Sequence, residues 1–273
     1  MPEGDTVFQA AQRVDRALGR HRLDVVDLRV PQLATVDLAG SLHVGTVARG
    51  KHLLTRLEHE SGAWTLHTHL KMEGVWHAYG PRDRWRRPAH EARVVLRRGQ
   101  VQAVGFALGV VELLATADED SVVGHLGPDL LGPDWDASEA LLRLRAEPDR
   151  GIWEALLDQR LLAGVGNVFA NEICFVAGLH PATAVADVDD QGRLERVVDL
   201  AHRMLVLNRE RVNRVTTGVA RPGRDLWIYG RAGKPCRRCG TTVVKAARSD
   251  SRAPAHQGER TTSWCPRCQP EPA

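Results

Sequence analysis

Leu156-Leu157-Asp158-Gln159-Arg160-Leu161-Leu162-Ala163-Gly164-Val165-Gly166-Asn167 lies where one helical pattern, Ile152–Leu161, gives way to another, Asn167–Ala177. Gly164 and Gly166 let the backbone of the turn approach a neighbour closely. The helix that follows presents oriented N–H donors, which suit a phosphate. The same run also reads as an ordinary αα-hairpin with Asn167 as helix cap. Under either reading, this half of the chain is helical.

Working outward, Ser138–Ala146 and Gln191–Asn208 repeat the helical spacing, the latter through Leu194, Val197, Val198, Ala201, Met204 and Leu205. Gly127-Pro128-Asp129 and Gly132-Pro133-Asp134 punctuate the chain and predict a linker over 127–137. Ahead of it the pattern is different. Leu23–Val30, Ser41–Arg49, His52–Glu58, Ala63–Leu70, Gly74–Ala78, Ala92–Arg97 and Val101–Ala107 are short, partly alternating runs. Such runs predict a β-sandwich or barrel. The expected organisation is an N-terminal β domain (1–126), the linker, a helical domain (138–225) and a small cysteine module (226–273).

The chain has 273 residues, 43% of them hydrophobic, and a formal charge of +3. That length suits roughly two domains and a sizeable core. No apolar run is long enough to cross a bilayer, and no secretory segment follows Met1. The expectation is a soluble, cytoplasmic protein. Lysine occurs only at Lys51, Lys71, Lys234 and Lys245, so each one is a candidate for a specific role. The arginine bias suits phosphate forks and also fits a GC-rich genome.

Cys236-x-x-Cys239 and Cys265-x-x-Cys268 are two knuckles whose thiolates can close a tetrahedral zinc site. No ligand position would stay open, so the metal would be structural. Cys174 sits in an apolar helical context and reads as core. At the other end stands Met1-Pro2-Glu3-Gly4-Asp5-Thr6. Loss of the initiator would leave a secondary amine on Pro2, a nucleophile toward carbonyl carbon, with Glu3 beside it to move protons. Thr6-Val7-Phe8-Gln9 fits a capping box. A helix starting there disfavours a cationic amine, whose ordinary pKa is about 7.7–8.0. Arg49-Gly50-Lys51-His52 is a basic tip before an apolar strand, and His67-Thr68-His69-Leu70-Lys71-Met72-Glu73-Gly74 ends another. Met72 could wedge into a base stack or pack in a core. His67 and His69 could form a zinc pair but lack a third ligand. Pro81–Pro88, with several arginines around Trp85, reads as a solvated loop or a phosphate contact.

In their joint order these residues resemble the formamidopyrimidine-DNA glycosylase/endonuclease VIII family of base-excision repair enzymes. Pro2-Glu3-Gly4 is similar to its N-terminus in the endonuclease VIII version, and Arg49-Gly50-Lys51 to its catalytic-lysine turn. Leu156–Asn167, continuing through Asn171-Glu172-Ile173, resembles its helix-two-turn-helix. Ile228–Cys236 and Trp264–Cys268 resemble its zinc-finger hairpin. The resemblance implies an α+β fold of two domains. One is an N-terminal β-sandwich with a flanking helix; the other is helical, with the helix-two-turn-helix and a four-cysteine zinc-finger hairpin.

The implied activity is base removal and strand nicking at a flipped-out damaged nucleotide. Pro2 would be the nucleophile, Glu3 the proton carrier, and Lys51 the cation assisting at the sugar–phosphate. Arg260, five residues before Cys265, would grip the phosphates at the lesion. Lys71, His125 and Asn167 would contact DNA, and Met72 would fill the vacated stack. Damaged DNA is the implied partner, with one structural zinc, no organic cofactor and a monomeric chain associated with the nucleoid through DNA.

Three departures bear on this. Asp5-Thr6 stands where the family usually has Pro-Glu. Val104–Leu108 lacks the Arg-Phe wedge of the formamidopyrimidine branch, which favours oxidised pyrimidines over 8-oxoguanine. The 240–264 interval between the knuckles is long, with the excess assigned to a flexible loop at Ser249–Gly258. Asn213–Asp225, the stretch that would read the base, matches neither branch. The remaining alternatives are formamidopyrimidine or single-strand lesions on the same fold, or a non-catalytic zinc-finger DNA-binding protein. Intact Pro2, Glu3 and Lys51 argue against the last.

Overall fold

The first helix, α1 (Gly4–Leu18), turns Val7, Ala10, Ala11, Val14 and Leu18 to one buried face at helical spacing. Glu3 takes the cap position, and its carbonyl accepts the first helical bond from the Val7 N–H at 3.0 Å. The cap therefore falls earlier than the expected capping box at Thr6, whose hydroxyl instead donates to Asp5. Asp5 in the first turn complements the positive helix end, so the helix runs on to Gly4. Gly19, at φ 57°, ends it.

The computed structural model describes residues 2–248 and 260–272, and the chain forms two units, 1–125 and 126–273. In the first, β1 (Val25–Leu28), β6 (Ala92–Arg98), β7 (Val101–Phe106) and β5 (Val75–Tyr79) form one antiparallel sheet in that order. The second sheet has the order β2 (Leu42–Arg49), β3 (His52–His59), β4 (Gly62–His69), β8 (Val110–Ala115). Leu53, Leu57 and Leu66 from one sheet and Val94, Leu96 and Ala103 from the other share a core with the buried face of α1. The expected sandwich with a flanking helix is present. Strand β8 is an addition to the sequence reading, which ended the β region at Ala107.

In the second unit, α3 (Ala137–Arg145), α4 (Ile152–Leu157), α5 (Asn167–Ala177) and α7 (Arg193–Asn208) bury Leu144, Trp153, Phe169, Ile173, Val197 and Leu205 together. Two one-turn helices accompany them, α2 (Asp120–Val123) ending the first unit and α6 (Val185–Val188) in the second. Asp136 caps α3, accepting from Ser138 and Glu139 N–H groups at 2.8 and 3.3 Å. Residues 127–130 of the expected linker are packed structure. Ala163 N–H donates to Pro128 O at 2.9 Å, Leu130 N–H to Ala163 O at 3.2 Å, and Leu130 is fully buried. A Cβ on Gly127 would sit 2.6 Å from Arg160 O, so this approach requires glycine. The unit closes with a hairpin of β9 (Val244–Arg248) and β10 (Arg260–Trp264). The Ser249–Gly258 loop lies outside the described residues.

Candidate active site and nucleic-acid interface

In the N-terminal unit, Glu3 is fully buried and Pro2 is half-buried directly ahead of α1. A nitrogen at that position meets the positive end of the helix, where unpaired N–H groups gather. Gly50 and Lys51 form the two-residue turn between β2 and β3, since Arg49 pairs with His52. Gly50 has φ 57°, and a turn of the II′ kind takes glycine at that first position. Lys51 is thereby fixed at a tight tip.

The β4–β5 turn carries the other lysine. Lys71 adopts φ 52°, unusual for a residue with a side chain, and its N–H donates to His69 Nδ1 at 2.9 Å. Its stem lies over Gly109, where a Cβ would come within 2.2 Å of the lysine Cγ. Met72, next along, is 66% exposed, which answers the sequence question in favour of a projecting tip over a core residue. The Pro81–Pro88 loop is anchored, not merely solvated. Trp85 packs edge-on to Phe106 at 5.5 Å and donates to Gln102, while Arg87 donates to the Glu73 carbonyl at 2.8 Å.

Beside Lys51 the register gathers histidines. His52 faces His69 across β3–β4, and His67 faces Glu112 across β4–β8. His52 and His67 stack at 5.0 Å, and the His125 ring stands edge-on to His52 at 6.2 Å. Burial, with the neighbouring His69, His67, His125 and Lys71, holds His52 down at about 3. Burial, with Lys71, Lys51 and His67, holds His69 down at about 4. No third ligand joins His67 and His69: among the described residues, no histidine belongs to a set of three or more ligand atoms placed around one point. His67 is engaged with Glu112 and His52 instead.

In the C-terminal unit, Gln159 fixes the turn between α4 and α5. Its amide donates to Leu157 O and Val165 O at 2.8 and 2.9 Å and accepts from Gly164 N–H at 3.0 Å. Gly164, at φ 107°, makes that fold of the chain accessible. Gly166 takes the cap position, leaving Asn167 as the first helical residue. Asn167 is buried, and its Nδ2 donates to Thr261 O at 3.1 Å. Asn171 donates to Asn167 and accepts from Ser263 N–H at 2.6 Å. Both asparagines thus hold β10, the strand that starts with Arg260.

The reading of the sequence missed Glu172 as a structural centre. Fully buried in α5, it accepts from the N–H groups of Trp227, Ile228 and Tyr229, each at 2.8 Å, and from the Thr216 hydroxyl. It ties Thr216, early in the stretch expected to read the base, to the segment that follows that stretch. That stretch borders an open cleft of about 460 Å³ lined by Arg211, Asn213, Ala220, Arg221 and Asp225. The single charged residue of α5 was the signal for this role.

The four knuckle cysteines converge, with all Sγ atoms within 4.8 Å of one another. Cys239 and Cys265 are 3.4 Å apart, and Cys236 and Cys268 4.0 Å. Thiolates about 2.3 Å from a tetrahedral zinc stand about 3.8 Å from one another. The set fits a metal ion. Cys174 lies apart from it, wholly buried, its thiol pushed up to about 12 by burial.

Residues 126–213 match the model of the formamidopyrimidine-DNA glycosylase H2TH domain. The chain is 50% identical to a probable endonuclease 8 2 of Streptomyces coelicolor, over 100% of this chain and 95% of the relative. It is 47% identical to the DNA-(apurinic or apyrimidinic site) lyase Nei2 of Mycolicibacterium smegmatis, over 98% of this chain and 99% of the relative. A formamidopyrimidine-DNA glycosylase of Symbiobacterium thermophilum is 32% identical over 100% and 89%. Among solved structures, Lactococcus lactis Fpg bound to DNA containing an oxidised pyrimidine aligns with TM-score 0.79 at 22% identity, covering 99% of this chain and 100% of that one. Full-length identity to relatives named endonuclease 8 or Nei2 at the 45–50% level, with the matching fold, places the chain in the formamidopyrimidine-DNA glycosylase/endonuclease 8 family.

Proposed function

We propose that this protein is a bifunctional DNA glycosylase and abasic-site lyase that excises oxidised pyrimidines and cuts the strand through an iminium on Pro2. The observation that carries the reading is Pro2 set immediately before α1, with Glu3 wholly buried at the helix cap. The helix end keeps a freed Pro2 nitrogen neutral, and therefore nucleophilic.

The Pro2 lone pair attacks the sugar C1′ as the C1′–base bond breaks, and Glu3 moves protons as the base leaves and the sugar ring opens. A secondary amine yields a cationic iminium, which draws electrons from C2′. Loss of a C2′ proton then expels the 3′ phosphate, and a further elimination expels the 5′ phosphate. Water releases the sugar fragment and restores the Pro2 amine. Lys51 stabilises the sugar–phosphate during these steps, and Arg260 grips the phosphate. Lys71 and His125 contact the backbone, while Met72 fills the gap left by the flipped nucleotide. Asn167 supports this grip through β10. Zinc on Cys236, Cys239, Cys265 and Cys268 holds the hairpin and takes no part in the chemistry.

The pyrimidine preference rests on the missing Arg-Phe wedge at Val104–Leu108. Borohydride trapping on duplexes carrying dihydrouracil or an abasic site tests the whole. The protein is expected to trap on both, and Glu3→Gln on the abasic duplex alone. Absence of trapping on either duplex, with DNA binding intact, would overturn it in favour of a non-catalytic DNA-binding protein.

A further inference from the structure

His52 and His67 have no part in the reaction as described, yet they form a continuous polar chain with Glu112 in the N-terminal unit. His67 Nδ1 is 2.9 Å from Glu112 Oε2, and its Nε2 is 2.8 Å from His52 Nδ1. The arrangement follows from register. His67 and Glu112 are direct partners across β4–β8, and His52 is diagonal to His67 across β3–β4, so all three side chains share one sheet face.

The polarity of the chain is fixed at its far end. A carboxylate only accepts, so His67 Nδ1–H donates to Glu112. The other nitrogen of a neutral His67 must then accept, so His52 Nδ1–H donates to it. His52 Nε2 is left with its lone pair. His52 is also the residue after Lys51, at the base of the hairpin tip.

We propose that Glu112 and His67 are positioning residues that act through His52 on Lys51, holding the His52 ring in one orientation and one neutral tautomer at the base of the Lys51 turn. The groups around His52 are otherwise cationic or basic: His69 and Lys71 from β4 and its turn, and His125 after α2; Lys51, its chain neighbour, acts on His69, whose ring packs edge-on to His52. An imidazolium here would repel the Lys51 ammonium and draw a DNA phosphate away from it. A neutral, fixed ring does neither, and burial and these neighbours hold His52 at about 3, neutral across the working range. Glu112 is half exposed, so its replacement leaves the sheet core intact.

The inference rests on Lys51 acting in the reaction, so the test separates the two. Single-turnover cleavage of abasic-site DNA is measured for wild type, Glu112→Ala, Glu112→Gln, Lys51→Met and Lys51→Met with Glu112→Ala. Imidazole nitrogen NMR reports the His52 tautomer in parallel. Glu112→Ala is expected to lose the Nδ1–H tautomer and slow cleavage about tenfold, the equivalent of one hydrogen bond. Glu112→Gln, whose amide oxygen can still accept, is expected to recover to within about threefold of wild type. On the Lys51→Met background Glu112→Ala is expected to change the rate by less than about twofold, because the chain acts through the lysine. Full activity of Lys51→Met would overturn the role of Lys51 and the chain with it. An impaired Lys51→Met with an unaltered rate and tautomer in Glu112→Ala would overturn the chain alone.

Discussion

The Asn167 amide donates to the Thr261 carbonyl at 3.1 Å, so the first residue of α5 holds the strand that begins at Arg260. Asn167→Ala is expected to cost about 1 kcal/mol in urea unfolding, the net worth of one such bond. It should also shift products from double toward single elimination, because Arg260 loses its support. An unchanged product ratio on a sequencing gel would separate Asn167 from Arg260.

Lys71 can hold its stem only because Gly109 has no side chain. Gly109→Ala is expected to displace Lys71, weaken DNA binding about tenfold and lower the salt slope by about one phosphate contact. Titrations at several salt concentrations check this. An unaltered slope would show that Lys71 does not bind phosphate.

Arg150, just before α4, and Asp158, just after it, pair at 2.8 Å with side chains 2% and 8% exposed. Asp158→Asn replaces the carboxylate of this buried pair with an amide and is expected to cost about 1–3 kcal/mol. Burial alone would raise the Asp158 pKa, but hydrogen bonds from Arg160 and Arg150 outweigh it and hold it at about 2. The folded value lies below the ordinary aspartate value of about 3.9. The stabilisation is therefore complete above pH of about 4 and lost as pH falls toward about 2. Acid unfolding curves of wild type and variant should converge across that window.

Zinc should be folding energy for the hairpin. A strong chelator is expected to release one equivalent of zinc, expose the β9–β10 pair to exchange and weaken lesion-DNA binding. Undiminished binding by the metal-free protein would contradict this.

The features legible in the sequence were those whose residues are close together in the chain. Pro2-Glu3, the Lys51 turn, the glycine-rich run before Asn167 and each of the two cysteine knuckles lie within a few residues of chain. What was missed assembles across strands or against local preference. Strand β8, Val110-Val111-Glu112-Leu113-Leu114-Ala115, does not alternate, and periodicity cannot assign such an apolar run. Without β8, Glu112 has no register, and the His52–His67–Glu112 chain cannot be read. Gly127–Asp129 has linker composition, yet its glycine serves a close approach to Arg160, which only the fold reveals. Thr6 has the residue type of a cap, but helix continuation through Asp5 and Gly4 moves that position to Glu3.

The proposed reaction requires the Pro2 nitrogen to form the covalent intermediate. The most direct test is peptide mapping by mass spectrometry of the borohydride-trapped adduct, using protein lacking Met1 and protein retaining it. The predicted result is a sugar fragment on the Pro2 peptide, and none on protein that keeps Met1, where that nitrogen is a tertiary amide. An adduct on Lys51 or another lysine, formed equally with and without Met1, would contradict the account.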